Sequence, residues 1–112
     1  MRLVILESPY APTKYYSTQD HIEYARACVL HSLRQGEAPI ASHLLYTQPG
    51  ILKDTVGTER ALGISAGLAW LGKADASVFY CDLGISRGME QGMANAINWG
   101  VPCEQRFIGW LK

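Results

Sequence analysis

The sequence has no excess charge, because ten basic and ten acidic residues cancel in a chain of 112 residues. Lys and Arg occur without a cluster that would bind the phosphates of a nucleic acid. No apolar run approaches the roughly 20 residues of a membrane span, and the amino terminus lacks the features of a signal peptide. We therefore expect a cytoplasmic protein that binds neither a nucleic acid polymer nor a membrane.

The sequence is also poor in cysteine and histidine, with three of each. Cys28, Cys81 and Cys103 form no Cys-x-x-Cys pair and are odd in number, so they predict neither a disulfide framework nor a zinc site. The three histidines likewise lack the spacing of metal ligands. We expect no metal site.

The first half of the chain predicts a strand, a helix and a second strand. Leu3 to Leu6 form a short apolar run, which is typical of a strand buried on both faces. Asp20, with Glu23 three residues later, has the spacing of a capping box and predicts the start of a helix that Gly36 ends. The second strand is expected around residues 40–42.

The second half predicts two more helices and two more strands. Residues 43–56 form the longest predicted loop, which is either a wall of a binding site or a surface excursion. A helix is expected from residue 58 to 72, a strand from 76 to 81, and a helix that Gly100 ends. The last strand-like stretch lies within residues 101–110.

This alternation predicts an α/β fold. Strands separated by helices pair in parallel through right-handed crossovers, which gives a three-layer sandwich. We expect a mainly parallel sheet of about four to five strands, Rossmann- or flavodoxin-like, in a single domain over residues 1–112. The dinucleotide fingerprint and the P-loop lysine motif are both missing.

The third strand, the loop after it and the next helix carry the main site hypothesis. Ligands of an open parallel sheet bind beyond the carboxyl ends of its strands, where the chain carries Asp82 and Glu90. With Ser86 as N-cap, the capping-box partner would be Met89, so capping does not explain Glu90. Glu90 is either a site carboxylate or a solvated helix residue. Asp82 either contacts a ligand, acts as an acid, or forms an Asx-turn before Gly84.

Two glycines and two hydroxyl side chains add to this hypothesis. Gly88 and Gly92 flank Glu90 in a helix, where each costs roughly 1 kcal/mol relative to Ala. Close packing of the helix on a strand, room for a ligand, or both would compensate. Tyr10 and Ser8 follow the first strand at the same sheet edge; alternatively, Tyr10 is a half-buried aromatic with its hydroxyl in water. Two carboxylates near a phenol suit glycosyl transfer.

Residues 88–94, Gly-Met-Glu-Gln-Gly-Met-Ala, resemble the Gly-Met-Glu-x-Gly-x-Ala segment of nucleoside 2-deoxyribosyltransferases. In that family the Glu is the nucleophile that takes the deoxyribosyl group. The segment follows a strand that ends in an acidic residue, as it does there and in the related 2′-deoxynucleoside 5′-monophosphate N-glycosidases. The Ser-Pro-Tyr loop after the first strand is similar to their sugar-binding loop, and the matching order of elements covers most of the chain.

The resemblance implies cleavage or transfer of the N-glycosidic bond of a nucleoside or its 5′-monophosphate through a covalent ester at Glu90. Tyr10 would orient Glu90, and Asp82 would be the first candidate to protonate the departing base. No metal or organic cofactor is implied. The substrate-binding residues would be Ser8, Pro9, Tyr46, Gly84, Ser86 and Gly88, with Ser86 holding a phosphate at the helix start.

Two further expectations concern partners and the competing functions. Trp70, Trp99 and Trp110 in so small a chain predict exposed apolar surface, and the enzymes it resembles are oligomers, so we expect a homodimer or a higher homo-oligomer.

The family's base-binding Asp upstream of the third strand has no clear match. That feature favours the alternative of a catalytically silent nucleotide-binding protein, and a closed pocket would favour a structural or interaction domain.

Overall fold

A computed structural model describes residues 1–110, and within them the α/β prediction is confirmed. The strands are β1 (Arg2–Glu7), β2 (Glu37–Ile40), β3 (Ala76–Tyr80) and β4 (Cys103–Arg106). The helices are α1 (Thr18–Arg34), α2 (Ser42–Leu45), α3 (Gly57–Leu68) and α4 (Arg87–Asn98), with a 3₁₀ turn at Ala69–Gly72. All strand pairs are parallel, and the sheet order is β2-β1-β3-β4.

The two central strands of the sheet are covered on both faces, which is why β1 and β3 contain continuous apolar runs. Alternate side chains point to opposite faces of a strand. One face packs against α1, with a core of Val4, Leu6, Ala76, Val78, Tyr80, Tyr24 and Cys28. The other face packs against α4 and the 3₁₀ turn, through Ile5, Leu71, Ala96 and Val101 and through Phe79, Cys81 and Met89. These layers make the three-layer sandwich.

The strand order reverses between β1 and β3, and this reversal locates the binding edge. From the central pair of strands, β1 and β3, the chain continues in opposite directions. After β1 it adds β2 at one edge of the sheet, and after β3 it adds β4 at the other edge. Glu7 pairs with Phe79, so the carboxyl ends of the two central strands lie side by side. Ligands of such sheets bind in the crevice outside this switch point.

The first helix starts earlier than predicted. Its N-cap is Ser17, whose hydroxyl accepts from the Asp20 N–H at 3.1 Å, while the Asp20 carboxylate accepts from the Ser17 N–H at 2.9 Å. The capping box is therefore Ser17 with Asp20, and the predicted pair of Asp20 with Glu23 is wrong. Both pairs have the three-residue spacing of a capping box, and the structure shows that the Ser17 pair is the one that forms.

The second strand and the following loop also differ from the prediction. β2 ends at Ile40, before the end of the predicted strand, and the short helix α2 takes up residue 42 and the first three residues of the predicted loop. Pro39 lies inside β2, where a proline normally argues against a strand. It is tolerated here because β2 is an edge strand, which does not need every N–H for the ladder.

Candidate functional site

The first turn of α4 carries Glu90 on its exposed side. Ser86 is the N-cap, as predicted, and its hydroxyl accepts from the Met89 N–H at 3.2 Å. Met89 is buried against Phe79, whereas Glu90 faces solvent and has no part in the cap. The free N–H groups and the dipole of a helix start favour a charged carboxylate at this position.

Gly92, one turn into α4, allows this helix to pack directly on the end of β1. A Cβ atom built on Gly92 would lie 2.9 Å from Cδ of Glu7 and closer still to its Oε2. Gly88 differs, because an added Cβ would meet only the Ser86 Oγ, at 3.8 Å. Close packing of α4 on β1 thus compensates for the low helix propensity of Gly92, which is one of the two explanations that the sequence offered.

Glu7 is a carboxyl group at the switch point whose surroundings favour the neutral form. It ends β1, the strand between β2 and β3, and burial raises its pKa to about 7. Within residues 1–110 it accepts no hydrogen bond, and its oxygens are not sealed from solvent. Glu7 therefore exchanges a proton near neutral pH.

Asp82 has a different environment and a structural role. Its carboxylate accepts from the Tyr24 hydroxyl at 2.6 Å and from the backbone N–H groups of Ile108, Gly109 and Trp110 at 2.9–3.1 Å. Burial alone would raise the pKa of Asp82, but these hydrogen bonds outweigh it and lower the pKa. An ionised carboxylate with these partners has no proton to give, so the geometry does not support the expected acid. Asp82 also does not form an Asx-turn before Gly84, because its carboxylate oxygens accept from Tyr24 and from residues 108–110 instead.

Ser8 and His43 form a partly buried hydrogen bond that joins the loop after β1 to α2. Ser8 Oγ lies 2.7 Å from His43 Nε2. Burial lowers the pKa of His43 to about 4, so the imidazole is neutral at neutral pH. In the described part of the chain its Nδ1 has no hydrogen-bond partner. The pair fixes the Ser8 rotamer at the carboxyl end of β1.

The remaining predicted site residues lie around this edge in different settings. Tyr10 lines a cavity of about 580 Å³ whose opposite wall is residues 47–55, so the predicted loop does form a cavity wall. Glu90 does not line that cavity, and no hydrogen bond joins it to Tyr10 within residues 1–110. The Tyr46 hydroxyl accepts from Trp70 Nε1 at 3.0 Å. Pro9 is buried, and Gly84, at φ +91°, makes the turn after β3.

Sequence reasoning missed Glu7 and His43. One signal for Glu7 was available. Successive side chains of a strand point to opposite faces, so Glu7 lies on the face opposite Leu6, which is the face that α4 covers. What the sequence did not give was the register that sets Gly92 against it. His43 has no such signal, because a lone histidine in a predicted loop does not show its partner.

Residues 1–110 show neither a metal-binding cluster nor a membrane-spanning helix. They contain no group of three or more His, Cys, Asp or Glu side chains that could hold a metal ion. None of their helices is long and apolar enough to cross a membrane.

Comparison with known proteins places the chain in a family. One family model matches residues 2–106, which span all four strands and every side chain of the switch-point edge described above. The chain belongs to this family, the domain of unknown function DUF7768. No curated protein matches the chain. Family membership therefore supplies no function.

The contact between Gly92 and Glu7 predicts a coupled effect on stability. In a Glu7→Ala background, Gly92→Ala should stabilise the protein by up to about 1 kcal/mol, because Ala is the better helix former. In the parent protein the gain should vanish or reverse, because the new methyl group displaces the Glu7 carboxyl. Urea unfolding of the four proteins measures this coupling.

Gly88→Ala provides the matched control, since it adds the same methyl group to the same helix without meeting Glu7. Its effect should be equal in both backgrounds. Equal effects of Gly92→Ala in both backgrounds would contradict the packing described here.

Proposed function

We propose that the protein cleaves or transfers the N-glycosidic bond of a nucleoside or nucleoside 5′-monophosphate, with Glu90 as the nucleophile. The observation that carries the proposal is the contact between Gly92 and Glu7, which sets α4 against the carboxyl end of β1. It brings the segment that resembles the deoxyribosyltransferase motif to the switch point of the sheet, where ligands of such folds bind. Glu90 is exposed there, open to a substrate.

The chemistry proposed for Glu90 is a double displacement. A Glu90 oxygen attacks the anomeric carbon as the bond to the base nitrogen breaks, and the bonding electrons leave with the base. The resulting glycosyl ester is then cleaved by water, or by a second base in a transfer reaction. Two inversions give net retention at the anomeric carbon.

Three other side chains of the edge would bind the substrate. The Ser86 hydroxyl accepts from Met89, so its own proton is free to donate to a phosphate oxygen at the start of α4. Ser8, held by His43, would meet the sugar. Tyr10 would act on the base or the sugar from the cavity wall, since no hydrogen bond joins it to Glu90 in the described residues.

Incubation with a panel of nucleosides and 5′-monophosphates, followed by chromatography for free base, tests the proposal. We expect release of base from at least one member of the panel. A second candidate is a silent nucleotide-binding protein of the same fold, which is favoured by the commitment of Asp82 to structural hydrogen bonds. Binding of a panel member without any release of base would support this second candidate.

We also propose that the protein acts in the cytoplasm as a homodimer or a higher homo-oligomer. α3 has no buried residue, and Leu62 on it is 59% exposed. Trp70 and Trp99 are 44% and 65% exposed, and Trp99 lies against the 3₁₀ turn that contains Trp70. Trp110, in contrast, packs on Tyr24. This apolar surface suits a second copy of the chain.

Light scattering at micromolar concentration tests this association. The predicted particle is about 25 kDa or larger, twice the chain mass of 12.4 kDa. Trp99→Glu should shift the particle toward the monomer mass, because it places a charge in the apolar surface, while Glu23→Gln on the exposed side of α1 should not. A 12.4 kDa particle for the parent would refute association.

A further inference from the structure

We propose that Glu59 selects the base of the ligand, by accepting a hydrogen bond from an exocyclic amino group inside the cavity beside Tyr10. The inference takes its class of ligand, a nucleoside or its 5′-monophosphate, from the proposed function, and it does not depend on the role of Glu90. Cytosine and adenine carry such an amino group, whereas uracil and hypoxanthine carry a carbonyl oxygen in its place.

The cavity lies where a ligand of this fold binds. Its volume of about 580 Å³ is within the range of small-molecule sites. One wall contains Tyr10, from the loop after β1, and Thr18, from the start of α1, and the opposite wall contains residues 47–55 and Glu59. Because β1 ends at the switch point, this cavity opens at the carboxyl edge of the sheet. Tyr10 follows Ser8 by two residues, so a base in the cavity would be next to a sugar at Ser8.

Glu59 offers one acceptor oxygen to this cavity. Its Oε1 accepts from the backbone N–H of Lys53 at 3.1 Å, which fixes the carboxylate against the wall. Its Oε2 accepts no hydrogen bond within residues 1–110, and none of the ion pairs there includes Glu59. The neighbouring Arg60 pairs with Asp54 at 3.5 Å instead. Since an ionised carboxylate can only accept, the matching group of a ligand is a donor.

The other lining side chains suit a flat ring. Tyr10 supplies an aromatic ring on one wall, and Ile51 and Leu52 supply aliphatic side chains on the other. Stacking on an aromatic side chain tolerates every base, so Tyr10 does not distinguish among them. A carboxylate does distinguish them, because it accepts from an amino group and opposes a carbonyl oxygen.

Helix α3 holds Glu59 and this wall in register. None of its residues is buried, and it packs mainly against α2 and the 3₁₀ turn. A Cβ atom built on Gly63 would lie 3.3 Å from Leu52 Cδ1, so the helix lies directly against that side chain. Together with the bond from Lys53 to Glu59, this contact joins α3 to two successive residues of the wall. The position of the Glu59 carboxylate in the cavity is therefore fixed from both sides.

Calorimetric titration with two matched pairs of ligands tests the proposal. The pairs are 2′-deoxycytidine with 2′-deoxyuridine and 2′-deoxyadenosine with 2′-deoxyinosine, each as the nucleoside and as the 5′-monophosphate. The titrations use Glu90→Gln, so that the ligand is not consumed. We expect the amino member of each pair to bind about 10-fold or more tightly than the oxo member, because a hydrogen bond to a charged group is stronger than a neutral one.

Glu59→Gln, added to Glu90→Gln, should invert this preference. The Lys53 N–H needs an acceptor, so the amide oxygen takes the place of Oε1 and the amide NH₂ takes the place of Oε2. The side chain then donates to a carbonyl oxygen and opposes an amino group, so the oxo members should bind more tightly. Gly63→Ala is the control for the wall, since it presses on Leu52 but keeps the carboxylate. It should keep the preference for the amino members.

The outcomes separate this inference from the proposed function. Absence of binding, or equal binding of both members of each pair, would overturn the role of Glu59. An equal loss of affinity for every ligand in a folded Glu59→Gln would also overturn it, because loss of support for the wall alone would give that result. Selective binding without release of base by the parent would support the inference and contradict the N-glycosidase. Release of base from both members of each pair at equal kcat/KM would support the N-glycosidase and overturn the inference.

Discussion

Replacing Glu90 with Gln should abolish cleavage while leaving the fold intact. A nucleophile that carries a covalent intermediate has no substitute, so we expect kcat to fall by about 10³-fold or more. The side chain is exposed and takes no part in the helix cap, so the free energy of unfolding should change by less than about 1 kcal/mol. Initial rates on the best panel substrate, with urea unfolding of the same samples, measure both effects.

Glu23→Gln is the matched control, because it makes the same change at an exposed position of α1. It should keep the activity of the parent. Equal rates for Glu90→Gln and the parent would show that the resemblance of residues 88–94 to the transferase motif misplaces the chemistry.

Replacing Asp82 with Ala should cause the largest loss of stability among single changes at this edge. The carboxylate binds the hydroxyl of the buried Tyr24 and three backbone N–H groups of residues 108–110. Hydrogen bonds to a charged group contribute about 1.5–3 kcal/mol, and unsatisfied donors add a cost, so we expect a loss of about 3 kcal/mol or more. The urea midpoint at constant m-value measures it.

Asp54→Ala gives the comparison, because Asp54 forms only an exposed ion pair with Arg60 at 3.5 Å and should cost less than about 1 kcal/mol. Asp82→Asn, which keeps one acceptor oxygen, should retain part of the stability. If Asp82→Asn were as stable as the parent and inactive, Asp82 would be a catalytic group rather than a structural clamp.

A charge network on the α1 face predicts loss of stability in acid. Arg106 donates to both carboxylate oxygens of Glu37 at 2.7 Å, and Ser32 donates to one of them. The Arg106 hydrogen bonds lower the pKa of Glu37 to about 2. A depressed pKa stabilises the fold above the unfolded value, so this contribution should disappear as the pH falls from about 4.5 to about 2, and Glu37→Gln should lack that transition.

The sequence predicted the architecture because its signals are local. The apolar runs, their spacing and the helical periodicity between them require only neighbouring residues, and they gave the parallel sheet and the order of its elements. The start of the first helix was predicted wrongly, because Asp20 was taken as the N-cap. The structure shows Ser17 in that role, with Asp20 as its capping-box partner.

The site was less predictable because its contacts join distant parts of the chain. The sequence drew attention to Gly92 through its cost in a helix, but the compensating contact is with Glu7, 85 residues away along the chain. Asp82 looked like a ligand group because it follows a strand, and its acceptors are instead taken by residues 108–110. Such pairings depend on the register between elements, which no local pattern specifies.

Mass spectrometry after incubation with a 2-fluoro-arabinosyl nucleoside tests the central claim most directly, because the fluorine slows release of the sugar from the enzyme. The account predicts that the parent gains the mass of one glycosyl group, that peptide mapping places it on Glu90, and that Glu90→Gln gains nothing. A glycosyl group on another residue, or release of the base by the parent with no adduct at Glu90, would contradict the covalent role of Glu90.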